Sequence, residues 1–420
     1  MDLALVGCGG MGLRHTYGIA ELWEKFGTFR LAAVCDRHGP AAEHVAFEAE
    51  RLMGHRPAVF TDLTEMLDRQ KDLDALDIVT DTHTHHSFAI QAFEAGLHVM
   101  TEKPMGITLK ACRQVMEAAE KANRTLAVAG NYRRDPMNRL ARALIDAGAI
   151  GNPNFLLEIT VGGGSSLMHN TGWRALKSRG GSFILEQGVH ISDLVLYFMG
   201  DIDTVFATTD VFQKLRRRQG MNRNLATFYG HRVEDEFEGQ EEIETDAEDT
   251  AIGTVRFKSG AAGQITMSNA SLGYQVGVSS VHGSHGTLLL PPSRSGRSPE
   301  IRLEDREQPI TGDDLLPLVP AWELDDMTAR FWNDKRRLAS YHMDFEEIDR
   351  TLIAVELQDF AEAIETSRQP EVDGMVGMKA LGLAYALLEP GHAGRAITMD
   401  EVLRGQIETY QNEINAEIGV

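Results

Sequence analysis

The stretch that most limits what this chain can become is LALVGCGGMG, residues 3–12. A short apolar run ends in glycines at positions 7, 9 and 12, and a helix-period segment opens directly after them. That order is the G-x-G-x-x-G fingerprint of a strand–turn–helix unit that cradles a dinucleotide. Each glycine has its own task. Gly7 makes the tight turn, Gly9 lets backbone approach a pyrophosphate, and Gly12 lets the helix pack closely on the strand. Gly10 and Met11 complete the loop, and the helix N-terminus beyond it favours an anion. A second apolar run, LAAVCD, ends on Asp36, where a carboxylate can accept both ribose hydroxyls. That favours NAD, because the same charge repels a 2′-phosphate; the neighbouring Arg37 keeps NADP possible.

The first 130 residues continue the alternation. ALDIVT (75–80), LHVMTE (97–102) and TLAVAG (125–130) read as buried strands. Between the last two, Leu109, Cys112, Val115, Met116 and Ala119 form one apolar stripe of a helix over 108–123. Strand and helix in series predict a parallel sheet wrapped on both faces. After residue 131 the texture changes. A helix over 136–147 is followed by strand candidates NFLLEITVGG, TVFATTD, TAIGTVRF, AAGQITMS, YQVGVSSV and GTLLL, whose spacing predicts a largely antiparallel open sheet. The fold class is α/β, with a Rossmann domain over 1–131, a C-terminal α+β domain over 132–403, and a helical tail over 404–420. Further helices are expected over 183–199, 345–367, 376–388 and 400–417, the last packing back or meeting another subunit. The basic run 214–223 and the acidic run 234–249 read as a solvated insertion, and PPSRSGRSPE (291–300) as a Pro/Ser linker. The aromatics of 321–334 either wall a pocket or join the core.

Composition narrows the partners. Asp plus Glu 62 against Lys plus Arg 41 gives −21, a balance that repels nucleic acid and anionic membranes and suits small neutral substrates better. No run of about eighteen apolar residues appears, and Met1 leads straight into the first strand without a charged-then-apolar leader, so no membrane partner and a cytoplasmic location are expected. The three cysteines, Cys8, Cys35 and Cys112, have no metal spacing and fit a reducing compartment. His83, His85 and His86 in THTHHSF resemble a chelating tag more than a folded zinc site, so no metal is expected. They follow the strand that ends at Thr80, at the sheet edge where a nucleotide binds.

A second constellation carries chemistry. In MTEKPMG, lysine before proline is pushed out of the α region, so Lys103 sits in extended or turn geometry at a strand end; a cis Lys103–Pro104 bond is the expectation. Glu186, His190 and Asp193 recur at spacings that share one helix face. A histidine titrating near neutrality suits a proton acceptor, and a nearby carboxylate would orient it. The same spacing equally describes a helix-surface pair, with Lys103 a solvated turn residue.

GCGGMG, TEKP (101–104), NYRRDP (131–136), GAIGNP (148–153) and GGSFILEQGVHISD (180–193) occur in that order, with VHGSHGTLLL and DFAEAI beyond them. Together they resemble the signatures of the Gfo/Idh/MocA oxidoreductases, the glucose–fructose oxidoreductase and inositol dehydrogenase group. The resemblance runs from Leu3 to about Val402. It implies NAD(P)-dependent oxidation or reduction of sugars, cyclitols or their relatives, and pairing of subunits through the C-terminal sheet into a homodimer or homotetramer. Carried over by position, Lys103 contacts the reacting hydroxyl and His190 is the general base. Glu186, the third catalytic candidate, stands where aspartate is commoner. The implied cofactor contacts are the loop 7–12 with Asp36 and Arg37, then Thr80 and His85, then Glu102, Lys103 and Asn131, and finally Trp173 and Arg174. Three functions follow: a dehydrogenase, NAD-assisted glycoside cleavage by oxidation, elimination and reduction, and a non-catalytic sugar or dinucleotide sensor. Keeping Lys103, Glu186 and His190 together argues against the sensor.

Overall fold

The computed structural model describes residues 1–220, 223–231 and 241–420. Asp2–Val6 (β1), Arg30–Cys35 (β2), Ala58–Phe60 (β3), Ala75–Ile78 (β4), His98–Glu102 (β5) and Leu126–Ala129 (β6) form one parallel sheet in the order β3-β2-β1-β4-β5-β6. Strand order reverses between β1 and β4, so a crevice opens at their carboxyl ends. Helices cover both faces, which is why these strands are apolar throughout rather than alternating. The edge strand β3 is three residues long and carries no sequence pattern of its own. Helix Gly10–Phe26 follows β1 and stops at Gly27, whose φ of 64° is the left-handed geometry of a C-cap. Helix Leu109–Ala122 starts where the Thr108 hydroxyl accepts the Ala111 N–H.

The C-terminal half contributes Pro153–Val161 (β7), Ile202–Asp210 (β8), Leu215–Arg217 (β9), Glu242–Glu244 (β10), Thr250–Phe257 (β11), Ala262–Ser268 (β12), Val276–Gly283 (β13), Gly286–Leu289 (β14), Glu300–Leu303 (β15), Ile310–Thr311 (β16) and Ile397–Thr398 (β17). Nine of these form a sheet in the order β16-β15-β14-β13-β7-β12-β11-β8-β17. Its β7–β12 pair is parallel and its other pairs among the described residues are antiparallel. One face packs on helices Gly188–Met199 and Gly374–Ala393. The register brings Phe155, Val278, Ile252 and Phe206 to the opposite face, where they are between 37 and 53 % exposed. No described helix is long and apolar enough to cross a membrane.

Several segments depart from expectation. The 183–199 helix breaks at Gln187 into Ser182–Glu186 and Gly188–Met199. Gly405 (φ 68°) divides the expected 400–417 helix into Met399–Leu403 and Gln411–Ile418. The second piece packs back on the Rossmann half: Gln411 Oε1 accepts the Leu109 N–H at 2.9 Å and Asn415 Oδ1 accepts the Thr108 hydroxyl at 2.6 Å. Helix Phe345–Thr366 also crosses to that half, lying against helix Gly10–Phe26 where a Cβ on Gly18 would meet Ile353 at 2.5 Å. Phe331 and Trp332 of the 321–334 aromatics belong to the core.

The basic run is solvated only in part: Lys214, Leu215 and Arg217 are exposed, but its middle is a strand with a buried arginine. β9 pairs with β10, and Arg216 is buried, donating to Asp249 Oδ2 at 3.0 Å and to the Gly164 and Asn269 carbonyls. Asp249 is fully buried and also accepts the Phe212 and Gln213 N–H groups. Residues 234–240 of the acidic run lie outside the described residues. PPSRSGRSPE is likewise no linker: the Arg294 N–H donates to Asp135 Oδ2 at 2.6 Å and the Ser298 hydroxyl donates to the Ala339 carbonyl. Asp249→Ala strands a buried guanidinium and is expected to lower stability by about 3–5 kcal/mol. Urea unfolding measures this, and an unshifted midpoint would show that Arg216 finds another anion.

Candidate active site

The crevice beyond β1, β4 and β5 is a cleft of about 600 Å³. Gly7 has φ 98°, and a Cβ there would lie 2.6 Å from the Val79 backbone; a Cβ on Gly12 would meet the Gly7 carbonyl at 2.0 Å. Turn and helix therefore touch only because neither position carries a side chain. Helix Gly10–Phe26 has no side-chain cap and no acidic residue in its first turn, which leaves its first N–H groups for an anion. Asp36 is buried, its Oδ2 2.7 Å from the Cys8 N–H and its Oδ1 2.8 Å from the His38 N–H. Those two bonds fix the carboxylate at the cleft wall. Arg37 faces outward, 75 % exposed and 3.6 Å from Asp81. Thr80, Asn131 and Trp173 line the cleft, and the buried Asn131 Oδ1 has no hydrogen-bond partner among the described residues. A glycine cradle, a fixed carboxylate and an orphan amide oxygen fit a dinucleotide.

At the other end, β5 delivers Lys103, and the Lys103–Pro104 bond is cis. The Lys103 ammonium donates to the Glu186 carbonyl at 3.0 Å and lies 3.5 Å from its Oε2. Glu186 is buried; its Oε1 accepts the Thr82 hydroxyl at 3.1 Å and its Oε2 pairs with Arg174, whose guanidinium lies over the Trp173 ring. This carboxylate is thus engaged with Arg174, Thr82 and Lys103, not with His190. His190 stacks on Tyr132, with centroids 4.1 Å apart and planes 13° from parallel. Burial and then the Lys103 charge hold its pKa well below the usual imidazole range, so the ring is neutral and able to accept a proton. Asp193 does not orient it. That carboxylate is bidentate to Arg133, a partner from the loop after β6 that helix spacing cannot reveal. The His85 ring nitrogens lie 2.8 Å from the Pro104 carbonyl and 2.9 Å from the Thr80 carbonyl, so His85 ties two cleft walls together.

Sequence reasoning missed Arg14, Tyr132, His169, Asn170 and Arg294, all lining the cleft. Tyr132 lay within the NYRRDP motif and Arg14 just past the glycines. His169 (φ 52°), Asn170 (φ 53°) and Arg294 (φ 64°) hold left-handed backbone without being glycine, a strain that clusters at functional sites and leaves no mark in a periodicity.

Beneath Lys103 lies a buried charge ladder. His15 Nδ1 is 2.8 Å from Asp77 Oδ2 and its Nε2 is 3.4 Å from Glu102 Oε1, while Glu102 Oε2 accepts the Lys103 N–H at 2.9 Å. Burial opposes charge on His15, but Asp77 and Glu102 overcome it and raise its pKa well above the usual range. Glu356 borders this group, fully buried, and neither carboxyl oxygen has a hydrogen-bond partner among the described residues. Burial pushes its carboxyl up to about 8, against the pull of His15 and Arg134. From the usual carboxylate value to about 8, the folded protein keeps a proton that the unfolded chain releases, so this group withdraws stability as pH rises through that window. Glu356→Gln is expected to raise Tm clearly at pH 8 and little at pH 5. Thermal melts at both values check it, and an equal change at both would show that Glu356 does not titrate there.

Both halves of the chain match known proteins. The profile described as "Oxidoreductase family, NAD-binding Rossmann fold" covers residues 1–130, and that of the GFO/IDH/MocA C-terminal domain covers 138–289. Levoglucosan dehydrogenase of Pseudarthrobacter phenanthrenivorans is 28% identical over 297 residues, 69% of this chain and 73% of that protein. Myo-inositol 2-dehydrogenase of Thermotoga maritima is 25% identical over 405 residues, 96% of this chain and 100% of that one. Among solved structures, levoglucosan dehydrogenase in complex with NADH and L-sorbose shares the fold, with a TM-score of 0.72 at 22% identity over 96% of this chain and 99% of its own. With the glycine cradle, the matching order of both halves and these relatives in agreement, the chain belongs to the Gfo/Idh/MocA family of oxidoreductases and carries its NAD-binding Rossmann domain.

Proposed function

We propose that this protein oxidises a secondary hydroxyl of a sugar, glycoside or cyclitol with NAD, or reduces the corresponding ketone. The observation that carries this is the convergence of a cationic Lys103 and a neutral His190 in one cleft with the glycine cradle. NAD, when bound, supplies the hydride acceptor. Loss of hydride from carbon requires the hydroxyl proton to leave as well, and His190 accepts it. The Lys103 ammonium stabilises the negative charge that develops on that oxygen. Glu186 positions: with Arg174 and Thr82 it holds the Lys103 ammonium, and it takes no proton itself. Gly7, Gly9, Gly10, Met11 and Gly12 hold the pyrophosphate and Asp36 reads the ribose, while Thr80, Asn131 and Trp173 wall the nicotinamide side. His85 and Glu102 act from behind that wall.

In this reading residues 1–131 hold the dinucleotide and 132–403 supply the substrate wall, with 404–420 as the tail. The exposed apolar face at Phe155, Phe206, Ile252 and Val278 supports a homodimer or homotetramer through the C-terminal sheet. The three cysteines are buried and form no disulfide among the described residues, which supports a cytoplasmic location.

A spectrophotometric panel of sugars, glycosides and inositols with NAD and NADP tests the activity. NADH accumulation supports the dehydrogenase, whereas glycoside cleavage without it would favour a hydride that returns to product. Lys103→Ala is expected to lower turnover by about 10²–10⁴-fold while NAD affinity stays within a few fold; near-normal turnover would remove Lys103 from the chemistry. Asp36→Ala is expected to weaken NAD and narrow its lead over NADP, and an unchanged preference would show that another group reads the ribose.

A further inference from the structure

The reacting end of the cleft is positive although the chain is acidic. Lys103, Arg14, Arg174 and Arg294 line it in a protein of net charge −21. The carboxylates set against them are shared. Glu186 serves both Arg174 and Lys103, and Asp349 serves both Arg14 and Arg294. Glu102 faces the buried His15 imidazolium and is already matched. After burial, the Lys103, Arg294 and Arg14 charges push His190 down, and Arg174 with the same cations pushes His169 down. Glu102 pulls His190 the other way, but burial and the three cations outweigh it.

Arg294 is held in this place by more than its charge. Its left-handed backbone (φ 64°) is pinned by the bond from its N–H to Asp135 Oδ2, an oxygen that also accepts the Tyr341 hydroxyl at 3.0 Å. Its Nη1 donates to Asp349 at 2.8 Å and its Nη2 to the Tyr132 hydroxyl at 2.9 Å, and Tyr132 is the ring on which His190 stacks. A guanidinium has five N–H donors in a planar fork. Those not used for Asp349 and Tyr132 have no protein acceptor among the described residues, and the side chain borders the cleft. The cradle for the dinucleotide's own phosphates is the glycine turn, so they do not account for this group.

We propose that the substrate is a carboxylate-bearing sugar or cyclitol, a uronate or a similar monocyclic acid, whose carboxylate docks on Arg294 while Lys103 and His190 act on a ring hydroxyl. This rests on the dehydrogenase reading of the same site. The planar fork matches a carboxylate in two parallel bonds, and Arg294 borders the same cleft as Lys103 and His190.

Calorimetric titration of the NADH-loaded protein with D-glucuronate, D-galacturonate, D-glucose, D-galactose and glucose 6-phosphate tests this. The expected result is that at least one uronate binds about tenfold or more tighter than its neutral counterpart, and that added NaCl weakens that binding. Arg294→Gln is expected to bring the uronate down to the neutral sugar, and Arg294→Lys to keep a salt-sensitive part of the preference. Equal binding of acid and neutral sugar, no binding of either uronate, tighter binding of the phosphate, or an Arg294→Gln variant that weakens acid and neutral sugar alike overturns the proposal. NADH formation with NAD and the same compounds reads the underlying activity separately. NADH from neutral sugars alone overturns the carboxylate and keeps the dehydrogenase, whereas tight uronate binding without NADH from any compound does the reverse.

Discussion

A protonated histidine buried between two carboxylates fixes where Lys103 stands. His15 comes from the helix launched by the glycine turn, Asp77 from β4 and Glu102 from the end of β5. An imidazolium with no exposed surface is costly to bury unless it is paired. The pairing therefore holds only if all three elements keep one register. The second oxygen of Glu102 then takes the Lys103 N–H, which joins the dinucleotide-binding helix and the lysine into one mechanical unit. Glu356, left without a hydrogen bond at the border of this group, stays neutral near physiological pH because a further charge there would have no partner.

The same economy of partners separates the roles above it. Glu186 is one methylene longer than the aspartate commoner in that position, and that reach is used on Arg174, Thr82 and Lys103. A carboxylate so engaged does not orient His190. The stacked Tyr132 ring does so instead, without bringing a negative charge that would favour the imidazolium. A base is useful only while it is unprotonated, so in the role proposed for His190 burial and the nearby ammonium would cooperate: both keep the ring neutral, and the ammonium would lower the energy of an alkoxide formed there.

What was legible in the sequence was what is local. The glycine turn, the apolar runs of β1, β2, β4, β5 and β6, and the alternation of β7, β8 and β11 to β13 each declare themselves within a few residues. Sheet order does not, because placing β12 between β7 and β11 depends on pairing between distant segments. Lys103, Glu186 and His190 were found through motifs, and the structure brings all three to one cleft. The misplaced partner, Asp193, and the missed residue, Arg294, have contacts from remote parts of the chain. Where the segments taken as solvated or linking departed from expectation, the reason was the same: polar composition was equated with exposure. Arg216 and Asp249, 33 residues apart, are both polar and both buried because each is the other's solvent.

Net charge is also a poor guide to a single site, at a larger scale. A total of −21 points toward neutral substrates, but a total is an average over a surface on which charges separated by more than about 8 Å are largely screened at physiological salt. A molecule inside the cleft meets only what lies within that distance. At the cleft's reacting end four cationic side chains share Glu186 and Asp349, with Glu102 set between Lys103 and His15, in surroundings where screening by water is weaker than outside. The acidic exterior sets solubility and repels polyanions, for which many distant charges add. Selection of a small ligand is set by the few groups it touches, so the sign of the whole chain and the sign of its cleft are independent quantities. In this fold the basic side chains of the cleft gather at one end, with Lys103, Arg14, Arg174 and Arg294, while Asp36, Asp62 and Asp81 line the other.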